Sequence, residues 1–316
     1  MSSDTEKSRL DDAARAGWLY FIAGNTQDEI ARKLNVSRPT AQRLVSLSRS
    51  ERLITFRLEH PIAACMELAR RLTDRFGLVH CDVVPASGAA EGATVGIAES
   101  AAGLIETYLR SERPVVVAIG TGRAMRAAVD QIAPMDCPNH RVVSLVGNIS
   151  PDGSASFYDA LTRLAEVSKT RHYPIPLPVF AASRAERETL LSLTSVRRVF
   201  DLALHADLKL VGIGQLELDG PLVVDGFLTH DELLDLKRRG AAGEVTGWAI
   251  DADGRVIDGG VSDRVTSVPL VAPAEKPTVG VAQGAAKVPA IHAALIGRVI
   301  NGLVTDEATA AALLAR

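Results

Sequence analysis

The chain has 316 residues, room for a small domain beside one of about 250 residues. Its 47% hydrophobic and 23% charged residues exclude a disordered or fibrous protein, and with only 4% aromatic residues the core must come from Val, Leu, Ile and Ala. The net charge of -3 is uneven: Thr26 to Arg57 carries seven Lys/Arg against three Asp/Glu, and from Pro61 onward 25 basic residues face 30 acidic ones, a balance compatible with nucleic-acid binding at the N-terminal end.

Three helices are expected before residue 51. The first spans Asp11 to Ile22, with Leu10, Ala14, Leu19 and Ile22 on helical spacing and Gly24-Asn25 as its terminator. Thr26-Gln27-Asp28-Glu29 reads as a capping box opening a helix from Gln27 to Leu34. Asn35, which tolerates a left-handed backbone, ends it. Ser37 then caps a third helix with Pro39 in its first turn. Leu53 to Leu58 alternates like a short strand, the wing of a winged head. Beyond Pro61, apolar runs of strand length (Val115-Ile119, Val142-Val146, Leu208-Ile213, Val245-Ile250, Thr278-Ala282) alternate with helical stretches. Those stretches are Ala63-Phe76, Arg123-Ile132, Ser156-Ser168, Ala185-Leu193, Val196-Ala206, Asp231-Arg239, Ala286-Ile296 and Asp306-Ala315. This is the pattern of an α/β domain with a mostly parallel sheet covered on both faces. The expected division is 1–58 for the helical head and 59–316 for the body.

The spacing Gln27, Ile30-Ala31, Leu34, Val36, Leu44 is that of a helix-turn-helix. A small residue at Ala31 lets two helices cross closely, and Val36 and Leu44 fill the angle between them. The second helix would then present Arg38, Thr40, Gln42 and Arg43 outward, side chains suited to phosphates and base edges. The Ser37 hydroxyl and the free amides of the helix start can meet a phosphate. Gln27, Ser37, Arg38, Thr40, Gln42 and Arg43 are therefore the candidate contacts to double-stranded operator DNA. The plainer alternative is a three-helix packing module with a solvated Arg face.

In the body, the strand Val115-Ile119 runs into Gly120-Thr121-Gly122-Arg123 and then a helix. Glycines let a backbone approach a ligand oxygen, and helix amides with Arg123 favour an anion. No third Gly completes a dinucleotide fingerprint and no Lys-Ser/Thr completes a P-loop, so a tight structural turn is an equal reading. Three further Gly-bearing loops are expected: Gly147-Asn148, Gly212 to Gly214, and Gln283-Gly284 leading to Lys287. In a parallel sheet such loops converge at the strands' carboxyl ends, where ligands bind. Lys287 at a helix start is disfavoured by the macrodipole as a structural cation, which favours a ligand role. Glu244, between Gly243 and Val245, is either a ligand contact or a plain surface carboxylate.

Catalytic and metal signals are sparse. The seven histidines (His60, His80, His140, His172, His205, His230, His292) never take His-x-x-x-His spacing, so no metal is expected. No Gly-x-Ser-x-Gly elbow occurs. Cys65, Cys81 and Cys137 are far apart, odd in number and form no Cys-x-x-Cys pair, which excludes a disulfide framework and suits a reducing compartment. The polar start Met1 to Lys7 has no apolar h-region, and no run of roughly 18 uncharged apolar residues occurs. A cytoplasmic protein without membrane contact or cofactor is expected.

Together these residues resemble the SorC family of bacterial transcriptional regulators. The head matches at Thr26-Gln27-Asp28-Glu29-Ile30-Ala31 and Val36-Ser37-Arg38. The body matches at Ala118 to Arg123, Val143 to Asn148, Ala206 to Gly214, Gly240 to Glu244, Asp251 to Gly254, and then Gly284, Lys287, Ala290-Ile291, Ala293 to Leu295 and Leu303 to Glu307. Ala14-Gly17-Trp18-Leu19-Tyr20 and Met135-Asp136-Cys137-Pro138 look like the polyol-operon branch (sorbitol, mannitol and relatives). The resemblance implies a body folded like ribose-5-phosphate isomerase and glucosamine-6-phosphate deaminase, sensing an effector without turnover, in a tetramer acting on two half-sites. It implies that Gly120, Thr121, Gly122 and Arg123, with Gly147, Asn148, Glu244, Gln283, Gly284 and Lys287, form the effector pocket. Gln283 stands where the family often has a second Gly, which admits a free polyol as well as a sugar phosphate. The rival is a sugar-phosphate isomerase or deaminase with an appended helical domain, needing Glu244, Asp201 or Asp225 as general base. A third reading is a protein-interaction module.

Overall fold

The computed structural model describes residues 2–51, 53–54, 62–86, 94–155 and 159–316, with side chains from Ser8 onward. The chain divides into two compact units, 1–60 and 61–316.

The first unit holds α1 (Ser2–Gly17), α2 (Gln27–Lys33) and α3 (Arg38–Ser50). The expected capping box forms: Thr26 Oγ1 accepts from the Glu29 amide at 3.3 Å, and the Thr26 amide donates to Glu29 Oε2 at 2.8 Å. Ser37 caps α3 by accepting from the Thr40 amide, and Asn35 takes the left-handed turn with φ 51°. Ala13, Ala16, Ile30, Ala31, Ala41, Leu44 and Val45 are buried together. Two expectations need correction. The first helix begins at Ser2 rather than Asp11, and its last stretch, Trp18–Ile22, is a π-helical turn. A Cβ on Gly17 would stand 2.6 Å from Ile54 Cδ1 and overlap Ser48, so Gly17 as well as Ala31 permits close packing here. Of the expected wing, Leu53 and Ile54 lie in a bend; residues 55–58 lie outside the described residues.

Among the described residues, the second unit is built on seven parallel strands. In chain order the strands are β1 (His80–Val84), β2 (Val116–Ile119), β3 (Arg141–Ile149), β4 (Arg171–Pro178), β5 (Leu208–Gly214), β6 (Ala241–Val245), β7 (Trp248–Asp251), β8 (Thr278–Val281) and β9 (Gly302–Asp306). The parallel sheet runs β1-β9-β8-β5-β2-β3-β4, and the antiparallel hairpin β6–β7 joins the end of β5 through Ile213↔Val245 and Gly214↔Glu244. Alternate strand residues feed two cores. Val117, Ile119, Leu208 and Leu210 pack with the helices Ile97–Leu109, Arg123–Asp130 and Leu161–Ser168. Ala118, Val143, Val211 and Ile213 pack with Thr194–Leu204, Val288–Ile296 and Glu307–Leu314. Both sheet faces are therefore covered, as the near-continuous apolar strands require.

Four expectations are corrected in this unit. Gly147-Asn148 and Gly212 to Gly214 are not loops; they lie within β3 and β5. Val245–Ile250 is not one strand, because Thr246-Gly247 turns the chain back between β6 and β7. The helix expected from Ser156 starts at Leu161, and residues 156–158 lie outside the described residues. The helix expected from Ala286 is a 3-10 turn, Ala285–Lys287, before an α-helix from Val288.

Candidate functional site

Chain order sets where a ligand can enter. From β2 the sheet grows through β3 to β4; the chain then crosses back to lay β5 on the other side of β2. The carboxyl ends of β2 and β5 thus diverge at a topological switch point, the crevice where open α/β sheets bind ligands. A cavity of about 170 Å³ lies there. Its lining combines the turn after β2 (Thr121, Gly122, Arg123), the end of β5 (Gly212 to Gln215), the hairpin (Glu244, Thr246, Gly247) and the turn after β8 (Gln283, Gly284, Lys287).

Two glycines shape those turns. Gly122 (φ 109°) precedes the helix Arg123–Asp130 and, as its N-cap, supplies no side-chain cap. Gly284 (φ 111°) precedes the 3-10 turn, and its amide donates to Thr309 Oγ1 at 2.8 Å. L side chains rarely adopt either backbone.

Glu244 and Lys287 are the partly buried charged residues of the cavity; Asp225, also in its lining, is exposed. Glu244 Oε2 accepts from the Gly247 amide at 2.8 Å, tying the carboxylate into the hairpin turn. Burial pushes its carboxyl above the ordinary range, while that amide and Lys287 pull it down. Burial also holds the Lys287 ammonium below its usual range; Glu244 opposes this, and the Arg123 charge adds to it. Arg123 itself is exposed. Opposed charges of this kind can bind a polar, hydroxyl-rich molecule, with an anionic group near Arg123 and Lys287.

Of the residues singled out from sequence, Thr121, Gly122, Arg123, Glu244, Gln283, Gly284 and Lys287 meet in this one cavity. Gly120, Gly147 and Asn148 do not line it. Gly120 follows β2 beneath Thr246, and Gly147 serves the sheet: a Cβ there would lie 2.5 Å from Leu177 O on β4. Asp225, one of the candidate bases, lines the cavity, whereas Asp201 does not. Sequence reading missed Gln215, Thr246, Phe227 and Pro221-Leu222, which carry no motif and reach the cavity only through the fold. Among the described residues, no cluster could hold a metal ion and no helix is long and apolar enough to cross a membrane. Cys65, Cys81 and Cys137 are free thiols.

In the head, Ser37, Arg38, Gln42 and Arg43 are exposed along one end of α3, with Thr40 and Gln27 partly covered. Ser37 Oγ and Thr40 Oγ1 are 2.8 Å apart, and Arg38 Nε lies 3.4 Å from Asp28 Oδ1 in an exposed ion pair. Arg43 Nε donates to the Pro39 carbonyl at 3.4 Å. Such surface pairs are weak enough to exchange for phosphate.

Comparison with known proteins settles the class. The family described as "Putative sugar-binding domain" matches residues 60–315. The chain belongs to this family. The erythritol catabolism regulatory protein EryD of Brucella abortus is 32% identical over 302 residues, 96% of each chain. The transcriptional regulator LsrR of Klebsiella pneumoniae is 33% identical over 310 residues, covering 96% of this chain and 92% of that one. The full-length sorbitol operon regulator SorC from Klebsiella pneumoniae superposes with a TM-score of 0.73 at 25% identity, over 96% of this chain and 97% of the other. The likeness to SorC regulators read from the motifs therefore holds along nearly the whole chain. These relatives are transcriptional regulators, and so is this member of the sugar-binding family; the isomerase or deaminase reading falls with them.

Proposed function

We propose that residues 1–58 bind operator DNA and that residues 59–316 bind the effector and carry oligomerisation, so that a sugar, sugar phosphate or polyol controls transcription of its own catabolic operon. The observation that carries the reading is the cavity at the β2/β5 switch point, lined by Arg123, Glu244 and Lys287, in a chain of the sugar-binding regulator family. Thr121, Gly122, Arg123, Glu244, Gln283, Gly284 and Lys287 contact the effector. Gln27, Ser37, Arg38, Thr40, Gln42 and Arg43 contact DNA, with Arg38 and Arg43 supplying phosphate and guanine contacts and Gln42 facing adenine. The protein works in the cytoplasm as a tetramer whose heads engage two half-sites, and the effector shifts the balance between quaternary arrangements by a coupling of about 1–3 kcal/mol.

The test is a mobility shift with the promoter DNA beside the protein's own gene, together with a thermal-shift series of polyols and sugar phosphates. Binding should weaken with salt, and Arg43→Ala should weaken it further. Undiminished affinity in that variant would remove α3 as the reading helix. Lys287→Ala should keep DNA binding and lose the stabilisation by effector; an unchanged response would remove the cavity as the effector site.

A further inference from the structure

The hairpin turn on the cavity wall carries a residue ill-suited to it. Thr246 and Gly247 are the two central residues between β6 and β7, with φ of 52° and 86°. A two-residue turn with both φ positive favours Asn-Gly or Gly-Gly. A β-branched residue there is an outlier, of a kind that collects at ligand clamps. Thr246 is nonetheless 8% exposed, and its hydroxyl has no hydrogen-bond partner in the protein. Its Cγ2 methyl lies 3.6 Å from where a Cβ on Gly120 would stand, which lays the side chain over the end of β2 at the switch point. Glu244 holds the turn in place through the Gly247 amide. Gln215 Oε1, just past β5 and also in the cavity lining, is likewise buried and unpartnered. Buried polar atoms are nearly always paired, so two orphans lining one cavity call for an explanation.

We infer that Thr246, seconded by Gln215, hydrogen-bonds a hydroxyl of the effector and is a specificity-determining residue for its polyhydroxylated body, separate from any charge recognition by Arg123 and Lys287. The inference rests on the reading of this cavity as the effector site. It explains why a strained Thr occupies the turn: its methyl packs on Gly120 while its hydroxyl is left for the ligand. Asn would suit the turn better and offers no such methyl.

The test uses the full chain and four probes: erythritol, sorbitol and the monophosphate of each. Calorimetry identifies the probe that binds wild type most tightly, and that probe is then titrated into Thr246→Val, Thr246→Ser and Lys287→Ala. Thr246→Val should bind roughly tenfold more weakly, the loss of one buried hydrogen bond with its ligand partner left unpaired. Thr246→Ser, which keeps the hydroxyl, should bind close to wild type. Without ligand, Thr246→Val should melt no lower than wild type, because the hydroxyl it removes has no partner to lose. If Thr246→Val does not fold, Thr246→Gly, which suits the turn, takes its place with the same expected loss of binding. Wild-type affinity in Thr246→Val alongside lost affinity in Lys287→Ala would overturn the inference and leave the cavity assignment standing. Wild-type affinity in all three variants, or no binding of any probe to wild type, would overturn both. Whether the free or the phosphorylated probe binds more tightly identifies which form of the polyol the site takes.

Discussion

Gly214→Ala tests whether Glu244 is held where the cavity needs it. Gly214 ends β5, and its φ lies outside the left-handed region, so backbone strain plays no part. An added Cβ would overlap Glu244 Oε1 and stand 3.0 Å from Cδ and 3.1 Å from Cγ, against an ordinary carbon–carbon contact of about 3.5–4.0 Å. The carboxylate has to swing away, and its 2.8 Å bond from the Gly247 amide goes with it. A hydrogen bond to a charged group contributes about 1.5–3 kcal/mol. In a domain of this size that lowers Tm by about 3–12 °C. Gly212, two residues earlier on the same strand, is the control: there a Cβ meets only Thr121 O, at 3.6 Å. Gly212→Ala should be neutral or stabilising by about 0.4–1 kcal/mol, through the lower entropy of the unfolded chain. Thermal and urea unfolding of the two variants therefore should move in different directions. Equal stability of Gly214→Ala and Gly212→Ala would refute the claim that Glu244 is pinned against β5.

The pH dependence of stability should carry the mark of Glu244. Its folded pKa is raised by burial, so its contribution is full below the unfolded value and is lost as pH rises through the folded one. The Tm of wild type relative to Glu244→Gln should accordingly be highest at acid pH and fall toward neutrality; a rising difference would reverse the assigned cause. In the head, Thr26→Ala removes the side-chain half of the capping box, leaving the backbone amide of residue 26 to donate to Glu29, and should cost about 1 kcal/mol, read as faster amide exchange along α2. Asn35→Ala should cost about 1–2 kcal/mol by the same measurement, because Ala is poorly suited to φ 51°, whereas Asn35→Gly should not.

What could be read from the sequence was local. Thr26 with Glu29, Ser37 with Thr40, and the Asn35 turn are interactions over three or four residues, and each formed where the spacing put it. The buried strands β2, β5 and β8 announced themselves as apolar runs. β4 did not: Pro174, Pro176 and Pro178 argue against a strand, and it survives because it is an edge strand, where missing amides cost less. The helix Ile97–Leu109 was missed because seven of its residues are buried on a broad front and its start is Gly96, with no side-chain cap. Gly147 looked like a loop glycine, whereas its role is to let β3 and β4 approach. In the cavity, the residues after β2 and β8 were legible from their glycines. Gln215 and Thr246 were not, since one lies just past a strand and the other sits in a turn that lacks the usual Asn-Gly.

The most direct measurement is fluorescence anisotropy of labelled promoter DNA on wild type and Lys287→Ala, each titrated with the tightest-binding polyol or polyol phosphate. Wild type should change its DNA affinity as the compound is added, while Lys287→Ala should hold the DNA as tightly and ignore the compound. An identical response from both proteins, or a compound that binds wild type without altering its grip on DNA, would contradict a sensing cavity at the β2/β5 crevice that governs the helical head.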